Sequence, residues 1–352
     1  MPLTTTTIGS YPKPGGLKIP SWFELRQAHA PGEWHPTRAY DSYVASRDPS
    51  EAAALDEATM AVVREQVAAG IDVPTDGEIR REHYIYYQCR HFSGFDFGKL
   101  ARKEMRGGSW TAEVPTVTGE IRSARPILVR DWRLAQSATG RPVKITLPGP
   151  LTIIDSTANE HYADEHTLGR DLANALNAEI RSLAEAGCRW IQVDEPVFAR
   201  YPERALGFGV DLLSRCFHGV SSATNRAVHI CCGYPSALDL PAYPKANAHS
   251  YFQLAEALDA ADVDAVSLED AHCHNDLTLL ERFKAETIIF GVVDIARTAV
   301  EPVEEIRSRL QAALGHIDKA RLMPAPDCGL IMLNRSTALA KLRNLAAAAR
   351  SL

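Results

Sequence analysis

Leu168, Leu172, Leu176, Ile180 and Leu183, then Gly187, then Trp190-Ile191-Gln192-Val193-Asp194-Glu195-Pro196: this stretch decides the fold class. Apolar residues four apart line one face of a helix, and the stripe ends at a glycine suited to a helix terminus. An apolar run of strand length follows and ends on two acids and a proline. Helix, glycine, buried strand and polar turn form the unit of an α/β protein with parallel strands. Working outward, similar apolar or β-branched runs stand at 4–8, 71–75, 143–147, 227–230, 265–268, 287–290 and 322–325, which with 190–193 makes eight. Asp48-Pro49-Ser50-Glu51 supplies an N-cap, a proline at the first helical position and a capping-box acid, opening a helix that runs to about Gly70. Eight β/α repeats favour a single (β/α)₈ TIM barrel over an open doubly wound sheet. Pro115-Thr116-Val117-Thr118 is a ninth strand candidate, assigned to an inserted hairpin. The stretches Tyr11–Pro49 and Cys89–Trp110 read as long loops over one face. No repeat beyond the β/α period and no linker divides the chain, so the expectation is one domain over 1–352.

Composition removes several function classes. A formal net charge of −6 leaves no basic footprint for nucleic acid. The start, Met1-Pro2-Leu3-Thr4, lacks a charged region followed by an apolar core, and no apolar run approaches the ~20 residues that span a bilayer. Seven cysteines, an odd number scattered along the chain, suit a reducing compartment in which thiols serve as ligands or packing. The expectation is a cytoplasmic protein without disulfides.

Polar residues fall where a barrel places its chemistry, at the carboxyl ends of the strands. Gly9-Ser10 follow the first run and Asp76-Gly77-Glu78 the second; Pro148-Gly149-Pro150, Asp194-Glu195-Pro196, His229 to Cys231, Glu269-Asp270, Asp294 and Cys328 follow the others in turn. A single acid after a strand is equally a solvated turn or a helix N-cap, and Asp76 or Asp294 alone leaves that open. In Val228-His229-Ile230-Cys231-Cys232-Gly233, residues two apart on a strand project to one side, so His229 and Cys231 can converge on one ion while Cys232 faces away. Glu269 and Cys328 each stand where a strand meets its loop, completing a donor set suited to Zn²⁺. The spacing matches no compact finger, and buried structural cysteines beside a core histidine are the other reading. His272 and His274 read as loop or pocket residues. His83, Tyr84, Tyr86 and Tyr87 read as pocket walls or as a helix face packed on the barrel.

Taken together, Ile8-Gly9-Ser10-Tyr11-Pro12, Asp76-Gly77-Glu78, Leu147-Pro148-Gly149-Pro150-Leu151-Thr152, Gln192-Val193-Asp194-Glu195-Pro196, His229-Ile230-Cys231, Ser267-Leu268-Glu269 and Pro326-Asp327-Cys328-Gly329 resemble the catalytic barrel of cobalamin-independent methionine synthases. The motifs recur in the family's order over nearly the whole chain, which is similar to the short, single-barrel members. The resemblance implies Zn²⁺ held by His229, Cys231, Glu269 and Cys328, with Glu269 the donor that yields when a substrate thiol arrives. A zinc-bound thiol ionises near neutral pH and can attack an alkyl group in line. By the same resemblance Gly9 and Ser10 take the substrate's carboxylate, Glu78 and Asp194 take its ammonium, and Asp294 is the catalytic acid on the donor side. Homocysteine, or a similar small thiol, fits those contacts.

The departures from the family concern the methyl donor. Folate-using members carry a His at the place of Ala296 and a Trp shortly after the Gly149-Pro150 turn, where this chain reads Ile153-Ile154-Asp155-Ser156. Around Trp110–Pro115 no basic residue is evident, and Glu113 would repel a polyglutamate tail. A tertiary amine leaves poorly unless protonated, so the expected donor is methylcobalamin, a corrinoid protein or another methyl carrier rather than methyltetrahydrofolate. An epoxide:thiol alkyltransferase of the coenzyme M transferase type, or a thioether dealkylase, would use the same thiolate logic. A non-catalytic zinc or amino-acid sensor is the reading from another class. The segment 232–262 reads as a lid or as a homodimer contact.

Overall fold

β-Branched and apolar residues that alternate between two buried environments form the barrel strands of this protein. The computed structural model describes residues 2–22, 36–105, 108 and 110–352. In chain order the strands are β1 (Phe95–Met105), β2 (Trp110–Val117), β3 (Lys144–Pro148), β4 (Ala158–Asn159), β5 (Trp190–Asp194), β6 (Asn225–Ile230), β7 (Ala265–Glu269), β8 (Thr287–Val293) and β9 (Leu322–Pro326). Six of them form a parallel sheet in the order β3-β5-β6-β7-β8-β9.

The runs 4–8 and 71–75 complete the ring through single parallel bridges, Thr6 with Val73 and Thr75 with Lys144. Thr6 N–H donates to Pro324 O at 3.1 Å, joining the first run to β9 and closing the cylinder. These two ladders are thin because a side chain takes over part of the backbone pairing. Gln66, on the helix Pro49–Ala69, donates to Thr75 O at 2.9 Å and accepts from Thr75 N–H at 3.1 Å and Thr7 Oγ1 at 2.7 Å. Buried backbone groups need partners, and here a glutamine amide supplies them. The same helix begins and ends as its sequence dictates: Asp48 accepts from Glu51 N–H at 2.9 Å, and Gly70 closes it at φ 103°.

Closure divides the apolar core in two. Ile8, Val73, Ala227, Ala265, Ile289, Met323 and Ala325 pack inside the barrel with Trp190 against them. The alternate residues Val193, Val228, Ile230, Val266 and Ile288 face outward and pack with the helical stripe Leu168, Leu172, Leu176, Ile180 and Leu183. Polar inward residues nearer the carboxyl ends of the strands are then free to build a site.

Two loop expectations are corrected. Within Cys89–Trp110, Phe95–Met105 is strand β1, paired antiparallel with β2, which confirms the inserted hairpin. The register slips between Asp96 and Leu100, where Asp96 Oδ1 accepts from Gly98 N–H and Lys99 N–H at 2.8 and 3.0 Å. Gly98 and the charges at Lys99, Arg102, Lys103 and Glu104 break the alternation that would have revealed a strand. Within Tyr11–Pro49, Pro36–Ser46 is a helix, and residues 23–35 lie outside the described residues. The segment 232–262 also divides. Ser250–Asp259 is the helix between β6 and β7, and 232–249 is a strap of turns over the barrel mouth. Among the described residues no helix is long and apolar enough to cross a membrane.

Candidate active site

The carboxyl ends of the barrel strands open on one cleft, lined by Gly9, Ser10, Glu78, Asp194, His229, Cys231 and Cys328. His229 ends an inward row of β6 and pairs in register with Asp194 on one side and Ser267 on the other. Its Nδ1 meets Ser267 Oγ at 2.9 Å, which fixes the ring and turns Nε2 toward Cys328 Sγ at 3.4 Å. Ligand atoms of His229, Cys231 and Cys328 all lie within 4.8 Å of one another. The two thiols act as a pair. The Cys328 thiol hydrogen-bonds to Cys231 and holds it well below its usual range, while the same contact drives Cys328 upward. Burial opposes a charge on His229, but the adjacent Cys231 outweighs it and raises the imidazole.

Glu269 does not line the cleft. It is fully buried at the end of β7, and its Oε2 accepts from Cys232 N–H at 3.1 Å and Lys245 Nζ at 2.7 Å. Its Oε1 is buried with no hydrogen-bond partner among the described residues. Burial, then the nearby Cys231, raises this carboxyl to about 7, against the pull of Lys245. Glu269 also groups with Cys232 and His272, their ligand atoms within 4.8 Å of one another. Cys232 thus faces away from the cleft as the strand geometry required, with Sγ 3.4 Å from Tyr251 Oη. An imidazole nitrogen aimed at two thiols is a donor set that fits Zn²⁺, and Glu269, grouped with Cys232 and His272, keeps one buried oxygen without a hydrogen-bond partner among the described residues.

Across the cleft, Glu78 occupies a left-handed conformation at φ 56°, directly after Gly77 at φ 67°. Such a conformation is costly for a residue with a side chain and here aims the carboxylate into the mouth. Glu78 Oε1 accepts from Thr146 Oγ1 at 2.8 Å, with Arg81 Nη1 at 3.7 Å. A Cβ on Gly9 would stand 2.8 Å from that same Oε1, and one on Gly329 would stand 2.1 Å from Ser10 Oγ. Both glycines therefore permit polar groups to approach too closely for any other residue. Asp194 Oδ1 accepts from Gln192 Nε2 at 2.7 Å, and that amide also donates to Ile8 O at 2.9 Å. Burial raises Asp194 to about 7, eased by His229 and reinforced by Glu78. Burial likewise raises Glu78, with Arg81 opposing. Two acids short of solvation form a site that gains from a bound cation.

Asp294 is not among the residues that line this cleft. Its Oδ1 accepts from Ala296 N–H at 2.7 Å within its own turn, and Arg297 stands 3.6 Å away. His83, Tyr84 and Tyr86 line the wall, whereas Tyr87 turns away to Asp131 Oδ2 at 2.7 Å. His272 lies outside the cleft, its Nδ1 on Asp327 Oδ2 at 2.9 Å, and His274 is exposed. Sequence reading missed the parts played by Ser267, Arg81, Thr146 and Lys245. Ser267 alone carried a signal, lying two residues before Glu269 on one strand.

The description "Cobalamin-independent synthase, Catalytic domain" belongs to a family model that matches residues 3–351. The chain belongs to this family. It is 32% identical over 345 residues to the methionine synthase of Sulfolobus acidocaldarius, covering 97% of this chain and 90% of that protein. It is 30% identical over 347 residues to the methionine synthase of Thermococcus kodakarensis, covering 97% and 91%. The fold matches a B12-independent methionine synthase from a Shewanella species, solved in complex with selenomethionine, at TM-score 0.85 and 29% identity over 99% of this chain and 97% of that one. The single-barrel expectation agrees with this match and with the closed ring of backbone bonds. Family membership makes the chain a methyltransferase of the methionine synthase type.

Proposed function

We propose that this protein methylates the sulfur of homocysteine, with Zn²⁺ held by His229, Cys231, Cys328 and Glu269. The observation that carries this reading is the convergence of His229 with two cysteine sulfurs in a cleft that Glu78, Asp194 and Ser10 also line. The names of the relatives support it, as does the Shewanella protein's complex with selenomethionine, the selenium analogue of methionine. When bound, zinc lowers the proton affinity of a coordinating thiol, so that substrate sulfur is nucleophilic near neutral pH.

The chain's own residues supply position and charge. Ser10 and the backbone at Gly9 receive the carboxylate of the amino acid, and Glu78 and Asp194 receive its ammonium. Both acids are raised by burial, and a bound ammonium restores the charged form that solvent cannot. Arg81 donates to Asp76 Oδ2 at 3.3 Å and Thr146 O at 2.9 Å and stands farther, at 3.7 Å, from Glu78 Oε1, so Glu78 is only partly neutralised by it. Ser267 Oγ engages His229 Nδ1, which leaves Nε2 as the ring atom that faces the sulfurs.

On the donor side Ala296 is buried, and Ile153 and Ile154 pack in the apolar core. None of these three side chains carries a proton donor or a ring, whereas the rings of His83 and Tyr86 line the same cleft. A cobalamin-independent family gives no support to a corrinoid partner, and the donor side is read as suited to a methyl carrier that departs without protonation. Elemental analysis together with methyl transfer to homocysteine from methyltetrahydrofolate, methylcobalamin and simple methyl donors tests both halves. Stoichiometric zinc and zinc-dependent methionine formation are expected. Efficient turnover with the folate overturns the donor reading, and binding of zinc without turnover on any donor favours a sensor.

A further inference from the structure

We infer that Lys245 is a positioning residue for the metal site. It clamps one oxygen of Glu269 so that the other is presented to the ion, and it balances the negative charge of the donors. The inference rests on the zinc reading above. The strap 232–249 leaves β6 and folds back so that Ala246 N–H donates to Cys232 O at 2.6 Å, which brings Lys245 over the end of β7. Tyr234 Oη donates to Gly329 O at 2.7 Å, and Thr298 N–H donates to Asp239 Oδ1 at 2.9 Å, fastening the strap elsewhere over the mouth. Lys245 Nζ lies 5.0 Å from the Tyr243 ring centroid, and the ring steadies the ammonium.

Lys245 Nζ donates to Glu269 Oε2 at 2.7 Å, the two side chains being 13% and 0% exposed. Cys232 N–H donates to the same oxygen at 3.1 Å. His272 Nδ1 stands 3.5 Å from it but has a nearer partner in Asp327. Oε1 is left buried with no hydrogen-bond partner among the described residues, although a bare buried carboxylate oxygen is costly. One oxygen anchored by two donors and the other unpaired is an arrangement for a single bond to a cation. Charge points the same way. Two thiolates and a carboxylate outweigh a divalent ion, and in a buried site the excess is expensive unless a cation lies nearby. Lys245, nearer to Glu269 than His272 is, supplies such a cation. It belongs to the strap and not to the barrel frame, so docking of the strap and completion of the metal site become one event.

The test is Zn²⁺ affinity of metal-stripped protein, measured by competition with a chromophoric chelator, with circular dichroism to confirm folding. The proteins compared are wild type, Lys245→Met, Lys245→Arg, Glu269→Gln and the double variant Lys245→Met/Glu269→Gln. Lys245→Met is expected to weaken Zn²⁺ about 10- to 100-fold, and Lys245→Arg to recover most of the loss. Lys245→Met should add nothing once Glu269 is glutamine, because the lysine acts through that carboxylate. Unchanged affinity in Lys245→Met, or an equal loss in the Glu269→Gln background, overturns the inference and leaves the zinc reading standing. Absence of Zn²⁺ binding by the wild type overturns both.

Discussion

Replacing Lys144 with methionine should stabilise this barrel, and the gain should depend on pH in a way that follows from the fold. Lys144 opens β3, is wholly buried, and its Nζ has no hydrogen-bond partner among the described residues. Burial lowers its pKa from 10.5 to about 7, against a weaker upward pull from Asp194. At about 1.4 kcal/mol per tenfold change in proton affinity, holding the charged form inside costs about 5 kcal/mol. The unfolded chain keeps the proton up to pH 10.5, whereas the folded chain releases it near pH 7. Between those values the unfolded state binds more protons, so wild-type stability rises with pH; below about 7 both states are protonated and the whole penalty applies. Methionine has a similar unbranched length and carries no charge. Lys144→Met should therefore exceed wild type by about 3–5 kcal/mol near pH 6, with the gap closing as pH rises toward 10.5. Reversible urea unfolding followed by circular dichroism, at about pH 6, 8 and 9, measures this. A variant less stable than wild type at every pH would refute the reasoning, because it would show the ammonium to be well paired inside the barrel.

Three further outcomes are expected. Gly329→Ala should push Ser10 Oγ from its place, since the new Cβ would fall 2.1 Å from it; the KM for homocysteine should rise about tenfold or more with little change in kcat, and an unaltered KM would remove Ser10 from the substrate site. Gln66→Leu should leave Thr75 N–H and O unpaired in the seam of the barrel, costing at least about 2 kcal/mol in urea unfolding and speeding amide exchange at Thr75; equal stability would mean the ladder closes without the glutamine. Asp294→Asn should leave kcat within about tenfold, because the carboxylate is committed to its own turn, whereas a fall of about 10²-fold or more would return Asp294 to the chemistry as a general acid.

Much of the barrel was legible because its signals are local. The stripe from Leu168 to Leu183, the cap at Asp48 and the apolar runs before Asp194, His229 and Glu269 each depend on neighbours a few residues apart, and every one forms the expected element. The cleft was legible for a related reason. Parallel strands in a closed ring bring their carboxyl ends to one face, so Gly9, Ser10, Glu78, Asp194, His229, Cys231 and Cys328 could be placed together without coordinates. Strand β1 escaped notice because Gly98 and a bulge erased its alternation.

By itself, then, the sequence determined the β/α period, the helix ends and which residues crown the strands, since propensity, periodicity and capping act over a few positions. Tertiary structure alone decided that Gln66 replaces a ladder, that Asp294 Oδ1 accepts from Ala296 in its own turn, that Ser267 meets His229, and that Lys245 takes one oxygen of Glu269 and leaves the other without a partner among the described residues. Those relations join residues by register, close packing and the path of a strap. They are set by the energy of the whole packed chain, and no local pattern encodes them.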